Sequence, residues 1–218
     1  MDSLLKDINP VIQLLITMAA FSLLPFVFVS MTPFLRFTIV FSMLKTAMGT
    51  NSVPPAITLI GLSLILTLYT MSPVFDNMYQ AYQVPYQKNK NVVEALNASS
   101  KPLKEYMLKQ TRQSDLAFFV EKTRKQAPES PEELTLWEVA PAYIVSELKT
   151  AFEIGFIIYV PFIVLDLVVA NILLALGMFM LSPQIVSTPF KLLIFIAVDG
   201  WSLIVKGLVE SFNWWKLW

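Results

Sequence analysis

Gly177-Met178-Phe179-Met180-Leu181-Ser182-Pro183 lies in the middle of an apolar region that begins near Ile154 and ends near Val209. A small residue, two thioethers around a phenyl ring and a Ser-Pro stop read as a turn between two apolar helices. The chemistry of Met178, Phe179 and Met180 is soft and non-polar, which suits a constriction or seal. It also suits plain core packing, because methionine fills irregular gaps. Composition favours the core. The place at a tight turn favours exposure to something, because connecting segments run over the surface and carry function.

Working outward, the pattern predicts one helix from about Thr135 or Pro141 to Leu176, with Pro161 as the place for a bend. A last helix is expected from Gln184 to about Trp218, with Pro189 near its start. Together they form a helical hairpin. Asp166, Lys191, Asp199 and Lys206 fall inside it, and a charge at a bilayer centre costs about 2.5–3.5 kcal/mol on insertion scales. Lys191, Asp199 and Lys206 are spaced eight and seven apart, on one stripe of a helix and with alternating sign. That stripe suits pairing with a neighbouring helix or subunit, and the alternative is an ion pathway or proton relay. Trp201, Trp214, Trp215 and Trp218 mark the end of the helix as an interface region.

Towards the N-terminus, Val11 to Leu35 carries no charge and is long enough to span a bilayer core. Pro25 and Pro33 predict a kink or break, and Asn9-Pro10 a helix start. Arg36 and Lys45 flank an apolar octapeptide and point to opposite sides of a helix. Ala47-Met48-Gly49-Thr50-Asn51 reads as its stop, with Gly49 as a left-handed cap, and Val53-Pro54-Pro55 restarts the chain. A further helix is expected from Pro55 past Pro73 towards Tyr82. The chain therefore divides into an apolar helical hairpin (1–83), a helical soluble insert (84–138) and a C-terminal hairpin (139–218). In the insert, Ser100-Lys101-Pro102 is expected to open a helix with Leu103, Met107 and Leu108 on one face. Ser114-Asp115 opens another, with Leu116, Phe119 and Val120 as its buried stripe. Ser130-Pro131-Glu132-Glu133 has the form of a capping box.

Composition agrees with a membrane protein: of 218 residues 56% are hydrophobic and 15% charged, against about 25% charged in soluble domains. The chain has neither cysteine nor histidine, which excludes disulfides and thiolate or imidazole chemistry. Its formal net charge of +0 offers a nucleic-acid partner no electrostatic support. Asp2 and Asp7 offset Lys6, so the start of the chain is not expected to be a cleaved signal peptide. No phosphate-binding or dinucleotide motif occurs. Two Ser-x-x-Lys matches, Ser42 with Lys45 and Ser146 with Lys149, lack the companion motifs of a serine–lysine hydrolase. Glu147, Lys149 and Glu153, like Arg36 and Lys45, could bind a ligand, but solvated helix ends explain them as well. No catalytic residue, cofactor or metal is assigned, and the protein is expected not to be an enzyme. A small ion-coupled transporter using Asp166 and Asp199 is the second reading.

Three stretches resemble the FliP/SctR family, the export-gate subunit of flagellar and type III secretion systems. They are Phe34 to Pro55, Pro141 to Phe156, and Pro161 to Ala170 continuing through Gly177 to Pro189-Phe190-Lys191 and Val198-Asp199-Gly200-Trp201. The short chain resembles the injectisome branch, which is linked to virulence, more than the flagellar one. Lys45 stands where the family usually has arginine, Asn51 where it has glutamine, and Phe179 in the middle of a gasket that is typically three methionines.

The resemblance implies an all-α, membrane-protein-like subunit that assembles into a helical ring, a pentamer with itself. A small two-helix subunit (FliQ/SctS-like) and a larger homologous subunit (FliR/SctT-like) complete it. The complex would sit at the bacterial inner membrane, partly in the periplasmic space, and pass unfolded secreted proteins. Gly177, Met178, Phe179 and Met180 would form the pore gasket. Arg36, Lys45, Glu153, Asp166, Lys191, Asp199 and Lys206 would form charge pairs between subunits.

Overall fold

The computed structural model describes residues 10–50, 53–89, 91–123, 130 and 133–212. All regular structure among them is helical, as the all-α reading expects. The order is α1 (Pro10–Met31), α2 (Phe34–Ala47), α3 (Ala56–Asn89), α4 (Val92–Gln110), α5 (Gln113–Thr123), α6 (Leu136–Ala175), α7 (Pro183–Ala197) and α8 (Gly200–Glu210).

α2 is the centre. Phe37, Val40, Phe41 and Leu44 recur at helical spacing and are fully buried, so one face of α2 is continuous apolar surface. It packs against α6, whose buried stripe includes Val139, Ala142, Tyr143, Ser146, Glu147 and Ala151. α1 leads into α2 through the break at Thr32–Pro33. Pro33 is the effective breaker, and Pro25 stays inside α1. α2 stops as expected: Gly49 has φ +73°, and its N–H donates to the Thr46 carbonyl at 3.0 Å.

α3 continues through both Pro73 and Pro85 to Asn89, so the expected domain boundary at 83/84 falls inside a helix. The start expected at Ser100-Lys101-Pro102 also falls inside a helix. Asn91 caps α4 earlier, its side-chain oxygen accepting from the N–H groups of Val93 (3.1 Å) and Glu94 (3.3 Å). Pro102 is carried in the interior of α4, which packs against α3 and α6. Part of the Ser130–Glu133 capping box lies outside the described residues. The device in place is Thr135–Glu138, where the Glu138 carboxylate accepts from the Thr135 N–H at 2.7 Å and hydroxyl at 2.8 Å.

α6 keeps Pro141 and Pro161 without ending. The last helix, expected to be continuous, is broken instead: α7 and α8 meet at 65°. Asp199 takes a left-handed φ of +49° at the break. Gly200 permits it, because a Cβ there would lie 2.3 Å from the Phe195 ring. Trp214, Trp215 and Trp218 lie outside the described residues. By length and composition α1, α3 and α6 can each cross a membrane, and the bent pair α7–α8 makes a fourth candidate.

Candidate gate turn and the charge pairs around it

α6 closes on a Schellman motif. The Gly177 N–H donates to the Leu174 carbonyl (3.0 Å) and the Met178 N–H to the Leu173 carbonyl (2.9 Å). Gly177 holds the left-handed position at φ +74°, and nothing lies within 4 Å of where its Cβ would be. A second turn follows, closed from the Leu181 N–H to the Met178 carbonyl at 3.4 Å, and Pro183 starts α7. The side chains stand out from the chain: Met178 is 42% exposed, Phe179 76% and Met180 101%. Core packing within the chain is therefore excluded for this trio, and an apolar tip stands free at the end of a capped hairpin.

The two arms of the hairpin are tied together behind the tip. Lys191 on α7 is 2% exposed, and its Nζ lies 2.7 Å from Asp166 Oδ2 on α6 and 3.1 Å from the Ala47 carbonyl at the end of α2. The Ser187 hydroxyl donates to the other oxygen of Asp166. One carboxylate thus bridges α6 and α7, and one ammonium joins both to α2. The ammonium also meets the negative end of the α2 dipole.

Arg36 makes the most buried pair. Its Nε donates to Glu147 Oε2 at 2.7 Å and its Nη2 to Glu147 Oε1, a two-pronged fork. Nη1 donates to the Ser211 hydroxyl at 3.0 Å, and the guanidinium lies 3.8 Å from the centre of the Phe212 ring. Glu147 is wholly buried, so its reading as a solvated helix end is corrected. It lies on the same stripe of α6 as Val139, Tyr143 and Ser146, and Arg36 lies on the buried stripe of α2. Two opposite charges on two facing apolar stripes were the signal that they belong together.

A third cluster docks the insert. Asp115 at the start of α5 accepts from the Ser146 hydroxyl at 2.8 Å and from Lys149 Nζ. The Arg112 N–H donates to Ser146 Oγ at 3.0 Å, and the Arg112 guanidinium reaches Thr150 and Glu153. Ser146 and Lys149, the second Ser-x-x-Lys match, are thereby both committed to one carboxylate. Lys149 and Ser146 hold the Asp115 carboxyl below the usual carboxylate range. A lowered folded-state value stabilises the fold above the unfolded carboxylate value, and that stability is lost as pH falls through the folded value. Asp115→Asn is expected to cost about 0.5–1 kcal/mol at neutral pH, because Lys149 is half in solvent. Melting measured against pH should show the gap between parent and variant closing on acidification. A gap independent of pH would sink this account.

Of the residues expected to pair between subunits, Arg36, Asp166, Lys191 and Glu153 find partners in their own chain. Lys45, Asp199 and Lys206 make no ion pair among the described residues. Among the described residues, too, no group of three or more acidic side chains could hold a metal ion.

The FliP family matches residues 17–208. The flagellar biosynthetic protein FliP of Bacillus subtilis (strain 168) is 43% identical over 208 residues, 95% of this chain and 94% of that protein. The Yop proteins translocation protein R of Yersinia pestis is 41% identical over 209 residues, 93% of this chain and 96% of that protein. FliP of Pectobacterium carotovorum subsp. carotovorum is 42% identical over 202 residues, 92% of this chain and 78% of that protein. A flagellar relative matched over nearly its full length means that chain length does not separate the two branches. The match takes in α2, both arms of the C-terminal hairpin and the tip between them, and the chain belongs to the FliP family.

Proposed function

We propose that this chain is a core subunit of a type III export apparatus, in which copies of the Met178–Met180 tip close a passage for unfolded proteins. The observation that carries the reading is the tip itself, an exposed apolar trio on a capped and tied hairpin. Exposed thioethers adapt to varied apolar shapes, and a ring of such tips would exclude ions while yielding to a chain. The relatives named for flagellar biosynthesis and for Yop protein translocation support it.

In this reading the chain does no bond chemistry, and partners supply the energy. Further copies of itself, probed as a pentamer, cover the exposed apolar faces of α6 and α7, among them Phe156, Ile157, Leu167, Leu193 and Ile196. Lys45, Asp199 and Lys206 then meet charges on neighbouring subunits. A small two-helix subunit and a larger homologous one complete the complex, which sits at the bacterial inner membrane and reaches into the periplasmic space. The transporter reading loses one of its two residues, because Asp166 is committed to Lys191 and Ser187.

Replacing Met178 and Met180 together by alanine is expected to leave the assembly intact by native mass spectrometry and to raise ion leakage through the closed complex several-fold. Conductance equal to the parent's, in a complex of unchanged composition, would remove the gate from the proposal.

A further inference from the structure

The tip hangs from α7, so its place depends on what α7 rests against. Thr188 lies five positions beyond Pro183, about 7.5 Å along a helix. At Thr188 α7 meets the end of α2 unusually closely. A Cβ on Gly49 would lie 2.8 Å from Thr188 Oγ1, with its next contacts at 3.8 Å or more. The Thr188 hydroxyl is itself held, donating to the Gln184 carbonyl at 2.7 Å. Three residues further on, on the same face of α7, Lys191 binds the Ala47 carbonyl. Phe37, Val40, Phe41 and Leu44 of α2 are fully buried, so this contact ties the tip to a helix set in the core. Gly49 therefore has two reasons to lack a side chain: its left-handed backbone and the approach of α7.

We propose that Gly49 is a positioning residue for the gate, its bare Cα setting the height at which α7 seats on α2 and hence where Met178, Phe179 and Met180 stand. The proposal rests on the gate reading above. It predicts that bulk between residues 49 and 188 displaces the tips without removing any of their side chains.

The test is closed-state conductance of the assembled complex, its composition verified by native mass spectrometry. Gly49→Ala and Thr188→Phe should each leak several-fold above the parent. Gly49→Ala combined with Thr188→Ala should return towards the parent, because Oγ1 is the only atom closer than 3.0 Å. Met178→Ala with Met180→Ala serves as the reference for a damaged tip. If the reference seals like the parent, the gate reading itself fails. If the reference leaks but Thr188→Phe seals, or the Gly49→Ala/Thr188→Ala pair leaks as much as Gly49→Ala alone, the positioning role is overturned. Should Gly49→Ala fail to assemble, Thr188→Phe decides, because it leaves the strained backbone position untouched.

Discussion

Glu147→Ala is expected to be among the most damaging single substitutions in the chain, costing about 3–5 kcal/mol, the range for breaking a buried ion pair by removing one partner. The loss leaves the Arg36 guanidinium 3% exposed and without its counter-charge. Its other partners, the Ser211 hydroxyl, the Gln110 side-chain oxygen and the Phe212 ring, are neutral. Total stabilities of about 5–15 kcal/mol make this a large share, and the melting temperature should fall by on the order of 10 °C. Arg36→Ala should cost less, because an orphaned carboxyl can take up a proton whereas an orphaned guanidinium cannot lose one. Replacing both, Arg36→Met with Glu147→Leu, should cost less than either single change, because no buried charge is then left over. Thermal melting of the detergent-solubilised chain orders the variants. A double variant worse than Glu147→Ala, or a Glu147→Ala protein melting with the parent, would refute the assignment.

Asp166→Ala should come next, at about 2–3 kcal/mol, reduced from the fully buried case because the Asp166 side chain is partly open to solvent. The damage falls on Lys191, which keeps the Ala47 carbonyl but loses its carboxylate. Asp166→Asn retains oxygen acceptors for Ser187 and Lys191 without the charge, and it should fall between parent and alanine variant. The substitution also separates two origins of a defect. If Asp166 acted only between subunits, the isolated chain would melt normally and the assembly alone would fail. The intrachain geometry requires the isolated chain to melt early.

Which parts of this were legible in the sequence follows from what each kind of signal reports. Glycine at a forced left-handed position speaks locally, and Gly49 and Gly177 both ended helices where expected. Hydropathy also speaks locally, so α1, α3 and α6 were readable as long apolar helices. Proline was a mixed guide. The break at Pro33 and the passage through Pro73 and Pro161 came as expected, whereas Pro25 stayed inside α1 and Pro102 inside α4, because a helix can tolerate one lost hydrogen bond and a sequence does not show which proline it will tolerate. The bend at Asp199 was hidden for a related reason: it depends on a glycine meeting the Phe195 ring from one turn earlier.

The charges show the limit most clearly. Their place in apolar segments demanded partners, and four of those anticipated to reach other subunits have them. Whether the partner belongs to the same chain is a question of three-dimensional distance, which spacing along a single helix cannot answer. The tip was legible as a turn but ambiguous as core or surface, because three apolar residues look alike in both until their exposure is seen.

The Schellman closure behind the tip has one more consequence. The carbonyls of Leu173 and Leu174, which a helix end would otherwise turn towards water, are answered by the backbone of Gly177 and Met178. The bend is therefore closed by its own backbone, and those bonds grow stronger, not weaker, in apolar surroundings. The turn is suited to holding one geometry while its side chains adjust to whatever they meet.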